Sequence, residues 1–189
     1  MIFGITGGTG CGKTTALEAL HSLGGVCLDC DAIYHDLLKT DKALLAAIEG
    51  RFPGVVKACQ LDRKALGSRV FADPAALADL NTITHAAVKQ KVLELLPKDD
   101  SPAAIDAIGL FESGLDRLCG VTVGILAPKA DRLRRIMARD GIPEGYAQMR
   151  LDAQPEDGYF REKCDYILEN TGTEAEFRRK SLDFFQKFL

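Results

Sequence analysis

No stretch of this 189-residue chain holds the roughly 20 consecutive apolar residues that a membrane-spanning helix needs. The opening Met1-Ile2-Phe3-Gly4-Ile5-Thr6 has no basic leader and no cleavable apolar segment, so no signal peptide is expected. Basic charge is not in excess either. Against 27 Asp and Glu stand 24 Lys and Arg, a net charge of −3 and a pI near 5.7. Nothing general therefore draws the chain to nucleic acid or to an anionic membrane, and neither is expected as a partner. There is no internal repeat, no low-complexity tract and no evident linker, which at this length points to a single domain.

A second metal-type cysteine pair is also missing. Cys27-Leu28-Asp29-Cys30 is a C-x-x-C, but no other Cys or Cys/His pair stands at a matching spacing. The segment reads as a strand, where side chains three apart face opposite ways, so buried structural thiols are expected rather than zinc or redox chemistry. Six scattered cysteines in an aliphatic-rich chain need no disulfide framework, and the cytoplasm is the expected setting.

What the chain does have is glycine in one place. In Gly7-Gly8-Thr9-Gly10-Cys11-Gly12-Lys13-Thr14, four glycines fall where a strand should become a helix, and glycine is poor in either. The segment fits G-x-x-x-x-G-K-[ST] in full, follows the apolar run Ile2–Thr6 and opens a helical pattern. Such a loop is expected to bind the phosphates of a nucleotide, with Thr15 a helix residue rather than a ligand. Backbone N–H groups would converge on phosphate oxygens, and the helix start would add its unpaired N–H groups and dipole. Lys13 would reach the β- and γ-phosphates, and the Thr14 hydroxyl would coordinate Mg²⁺. A dinucleotide fingerprint fails, because Lys13 stands where it needs glycine.

Further strands are expected at Val26–Cys30, Ala103–Ile108, Val121–Leu126 and Tyr166–Glu169, with helices at Lys13–Leu23, 129–139, 143–153 and 174–188. From Ala32 to about Leu96 helical patterns dominate with no strong strand. They break at Gly50–Gly54 and around Ala72-Asp73-Pro74, where Asp73 resembles a helix start. Alternating strands and helices predict an α/β three-layer sandwich on a parallel sheet, with ligands at the carboxyl ends of the strands. The expected division is a core at about 1–31 and 103–189, a helical region at 32–96 and a lid at about 129–155.

Two groups face that cleft in the sequence reading. Asp29 and Asp31 end the second strand on one face, and Asp31 could orient or deprotonate an acceptor hydroxyl, bind metal through water, or cap the next helix. Arg132, Arg135 and Arg139 recur at i, i+3 and i+7, a basic stripe that suits a phosphate-clamping lid as well as a solvated face, with Arg139 the favoured member. Phe111-Glu112 and His85 have no role on pattern alone.

Taken in order, ITGGTGCGKTT, LDCDAI, LDRKALGSRVF, DPAALADLNTITHAAV, IDAIGLFESGLDRLC, RIMARDGI, DAQPE and CDYILENTG resemble the dephospho-CoA kinases over nearly the whole chain. The resemblance implies ATP- and Mg²⁺-dependent phosphorylation of the ribose 3′-hydroxyl of dephospho-CoA, the last step of coenzyme A synthesis. It also implies five parallel strands, a helical acceptor-side domain and a short lid. By position it makes Gly8, Thr9, Gly10, Cys11, Gly12, Lys13, Thr14 and Thr15 ATP-binding and Lys13, Asp31 and Arg139 catalytic, sets Asp31, Arg63, His85 and Phe111 on the acceptor side, and places Asn170 near adenine. The alternative is a P-loop kinase of another nucleotide or hydroxyl. A guanine-type switch lacks its N-K-x-D segment and a long effector loop near 32–50.

Overall fold

The computed structural model describes residues 1–71 and 73–189, so Ala72 of the expected helix break lies outside the described residues. The chain divides into two compact units, residues 1–28 with 97–189 and residues 29–96. In the first, β1 (Ile2–Thr6), β2 (Val26–Asp29), β5 (Ala103–Asp106), β6 (Val121–Leu126) and β7 (Tyr166–Glu169) form a sheet in the order β2-β5-β1-β6-β7. β1 lies at its centre, parallel to β5 with Ile5 opposite Asp106, and parallel to β6 with Ile5 opposite Val123. This is the parallel α/β sheet that the alternating pattern predicts.

Strand period explains the layers. Phe3 and Ile5 of β1 join Val123 and Ile125 of β6 in a core completed by Ala16 and Leu20 of α1 (Lys13–Ser22) and Phe177, Phe184 and Phe185 of α9 (Glu174–Phe185). The intervening Gly4 and Gly124 meet the other layer. A Cβ on Gly4 would press on Leu110 and Cys119, and one on Gly124 on Phe160 of α8 (Asp157–Lys163). Helix α8 is absent from the sequence reading. Helices α6 (Lys129–Asp140) and α7 (Glu144–Asp152) make a small apolar cluster of their own, Ile136 with Ala147 and Leu151.

The second unit is mainly helical: α2 (Cys30–Thr40), α3 (Lys42–Arg51), α4 (Arg63–Val70) and the 22-residue α5 (Pro74–Leu95), against which the other three pack. Asp73 caps α5 by accepting from the Ala75 N–H, with Pro74 at the first helical position. Between α3 and α4 lies an unexpected hairpin of two-residue strands, β3 (Val56–Lys57) and β4 (Gln60–Leu61), which is too short for periodicity to reveal.

Strand β2 stops at Asp29, not Cys30, because the Asp29 carboxylate accepts from the N–H groups of Asp31 (2.9 Å) and Ala32 (3.0 Å) and starts α2. Asp29 is the cap. Asp31 is the second residue of the helix, so the two aspartates do not share a strand face.

Candidate functional site

The site grows out of the β1 carboxyl end. Thr6 ties that end to the neighbouring segment by donating its hydroxyl to the Ile108 carbonyl. Residues 7–12 then turn into α1, whose N-cap is Gly12 in the left-handed region at φ +105°, where an L side chain would be strained. A Cβ there would also strike the Asn170 amide. Helix α1 has no side-chain cap, so its first N–H groups are left for an anion. Lys13 folds back and donates from Nζ to the Gly7 carbonyl at 2.9 Å.

Side chains far along the chain hold this loop from behind. Asn170, 4% exposed at the end of β7, donates from Nδ2 to the Cys11 carbonyl at 2.9 Å. Arg135 donates to the Gly10 carbonyl at 3.1 Å and Arg132 to the Thr9 carbonyl at 3.0 Å, both from α6. The buried Cys11 thiol registers the resulting field. Burial pushes its pKa up, Lys13 and then Arg132 pull it back, and Asp106 adds a small rise. A loop with uncapped N–H groups and one lysine, held from behind by two arginines, can hold a polyanion and stabilise charge moving between its oxygens.

The structure gathers Gly8 to Thr15 and Asn170 at one place, with Asn170 on the loop backbone. It does not bring Arg139 there. That side chain, 59% exposed, pairs with Asp140 at 2.6 Å, and Asp140 also takes Arg150 at 2.6 Å. The two guanidiniums, Arg139 first, hold the Asp140 carboxyl at about 2. The stripe members that reach the loop are Arg132 and Arg135.

Phe111 follows β5 in the first unit. Its ring meets Tyr159 edge-on at 6.3 Å, and the Lys163 ammonium sits 5.4 Å from its centroid. Tyr159 donates to Glu112 beside it. Asp31, Arg63 and His85 belong to the second unit. Asp31 is exposed, His85 is half-buried on α5, and Arg63 begins α4 with its guanidinium 3.4 Å from His35 Nδ1. Arg63, Tyr34, His35 and Phe71 rim a cleft of about 190 Å³ floored by Leu38 and Leu66.

Two residues escaped the sequence reading. Asp106 ends β5 directly beside β1, and its carboxylate offers hard oxygen ligands. An apolar strand closing on an aspartate was the available signal. Gln154, after α7, bonds Thr9 and has no periodic signature at all.

A model of the family described as dephospho-CoA kinase matches residues 1–176. The chain belongs to the dephospho-CoA kinase family. It is 34% identical to the dephospho-CoA kinase of Thermus thermophilus over 180 residues, 95% of this chain and 87% of that one. A Thermus thermophilus crystal structure superposes with a TM-score of 0.84 at 32% identity, covering 100% of this chain and 97% of that chain. The dephospho-CoA kinase structure from Campylobacter jejuni gives 0.71 at 32%, with 99% and 96% covered. Membership of this kinase family makes ATP the phosphoryl donor. Among the described residues no helix is long and apolar enough to cross a membrane.

Proposed function

We propose that this chain transfers the γ-phosphoryl group of ATP to the ribose 3′-hydroxyl of dephospho-CoA, giving coenzyme A and ADP at the last step of coenzyme A synthesis. The carrying observation is a complete phosphate loop, backed by Asn170, Arg132 and Arg135, in a chain whose family match runs over residues 1–176. Residues 1–189 are read as one kinase, with Arg63, His85 and Phe111 each assigned to the acceptor.

In this mechanism the loop N–H groups and the α1 dipole bind the phosphates, and Lys13 leaves the Gly7 carbonyl for the β- and γ-phosphate oxygens. Asp31 orients the 3′-hydroxyl and takes its proton as the new O–P bond forms and ADP departs. Its freedom from capping duty, which Asp29 performs, supports that role. Arg139 exchanges Asp140 for the transferring phosphoryl group when the lid closes. Thr14 and Asp106 are the oxygen donors that would hold Mg²⁺, and the ion would supply charge neutralisation on the β- and γ-oxygens. Among the described residues no three His, Cys, Asp or Glu side chains form a metal cage. The six free thiols support a cytoplasmic setting.

The test is phosphate transfer from ATP to dephospho-CoA, run beside adenosine, AMP and pantothenate, with product mass reporting one added phosphate. Dephospho-CoA should be strongly preferred. Preference for another acceptor, or ATP hydrolysis indifferent to every acceptor, refutes the assignment.

A further inference from the structure

Thr9, the third residue of the phosphate loop, has every polar group engaged by residues more than a hundred positions away. Gln154 Oε1 accepts from the Thr9 backbone N–H at 2.8 Å and from Arg132 Nη2 at 3.0 Å. Gln154 Nε2 donates to Thr9 Oγ1 at 2.6 Å. Arg132, 7% exposed, closes the other side with its Nε bond to the Thr9 carbonyl at 3.0 Å.

The chemistry of this clamp is selective. A carboxamide presents an acceptor and a donor on one planar group, so it can take the N–H and serve the hydroxyl of the same residue. A carboxylate has no donor and an aliphatic side chain has neither. The clamp also sits where the loop needs it. Thr9 lies between Gly8 and Gly10, whose backbones have the most freedom to lose on ordering. A Cβ on Gly8 would run into the Arg132 guanidinium, so the close approach of loop and arginine depends on glycine.

We propose that Gln154 is a positioning residue that fixes the Thr9 peptide, with Arg132 as the second jaw, so that the loop N–H groups are aimed before nucleotide arrives. The ordering cost is then met on folding rather than on binding. The inference rests on the phosphate-loop reading and is independent of the acceptor's identity.

The experiment compares Gln154→Ala, Thr9→Val, Thr9→Ser and the Gln154→Ala/Thr9→Val double variant. Calorimetric titration with ADP and with ATP is run without acceptor, beside thermal unfolding of the nucleotide-free proteins and steady-state kinetics. Gln154→Ala should raise Kd for both nucleotides and KM for ATP about tenfold, which is about 1.4 kcal/mol. The KM of the acceptor should stay within about twofold and the nucleotide-free Tm within about 2 °C. Thr9→Val should cost about fivefold in ADP affinity, Thr9→Ser less than about twofold, and the double variant no more than about twofold beyond Gln154→Ala alone. Unchanged nucleotide affinity in Gln154→Ala, strictly additive losses, or a fallen Tm with intact affinity would overturn the proposal. Should Gln154→Ala not fold, the Thr9→Val and Thr9→Ser pair decides by itself, and equal affinities there overturn it. A wild-type chain that binds ADP yet ignores dephospho-CoA sinks the acceptor reading and leaves the clamp to be judged on the Kd values.

Discussion

Replacing Asp29 and Asp31 one at a time should separate a structural carboxylate from a chemical one two positions away. The Asp29 carboxylate accepts two backbone N–H groups, at 2.9 and 3.0 Å, from the first turn of α2. Asp29→Ala leaves both without a partner, and loss of such a cap costs about 1 kcal/mol. For a chain of this length that lowers Tm by roughly 2–4 °C. Asp29→Asn should keep Tm, since asparagine caps about as well as aspartate. Asp31→Asn gives up only a charge near the helix start, worth ~0.3–1 kcal/mol at most, so its Tm should fall less than that of Asp29→Ala. Its turnover should fall by ~100-fold or more, because asparagine keeps the shape and loses the basicity that general-base assistance needs. ATP affinity should be untouched. The assay pairs circular-dichroism melts with coupled ADP release and product mass. An Asp31→Asn enzyme within about tenfold of wild type, a barrier change of only ~1.4 kcal/mol, would refute the catalytic role. A reversed order of Tm losses would refute the capping assignment.

Lys13→Ala should nearly abolish transfer while the protein stays folded, since the side-chain bond it removes is the one to the Gly7 carbonyl; turnover within about tenfold of wild type would contradict the phosphate-loop role. The two-residue turn of the β3–β4 hairpin places Ala58 at φ 49° and Cys59 at φ 60°, a type I′ geometry that suits Asn-Gly. Ala58→Asn with Cys59→Gly should therefore stabilise the protein by ~1 kcal/mol in a denaturant titration, and a loss of stability would show that the turn is not so built. Asp140 has its pKa depressed from 3.8 to about 2 by Arg139 and Arg150. A depressed carboxyl contributes stability that is full above pH 3.8 and is lost as pH falls toward 2. The Tm gap between wild type and Asp140→Asn should thus be constant near neutrality, close below pH 4 and shrink with salt. A gap that widens in acid would invert the sign of the linkage.

The phosphate loop was legible because everything it needs is local: a strand, four glycines, a lysine and a helix start lie within the first 22 residues. The alternation of strands and helices likewise implied the parallel sheet before any coordinate, since parallel strands need crossovers. What periodicity conveys about a helix is the face, not the height. Arg132 and Arg139 lie on one face of α6, yet seven residues at ~1.5 Å each put them about 10 Å apart along the axis. Only the packing of α6 against the loop decided that Arg132 and Arg135 grip its carbonyls while Arg139 turns to Asp140. Two aspartates flanking Cys30 look alike in sequence. Which of them caps depends on where β2 ends, and the Asp29 carboxylate decides that by drawing Asp31 and Ala32 into the first turn of α2. Gln154 and Asn170 stand 145 and 159 positions from their partners in the loop, with no spacing rule to connect them. Their role exists because the fold delivers the end of β7 and the segment after α7 to the carboxyl end of β1, where a glycine-rich backbone has more polar groups than its own turn can satisfy.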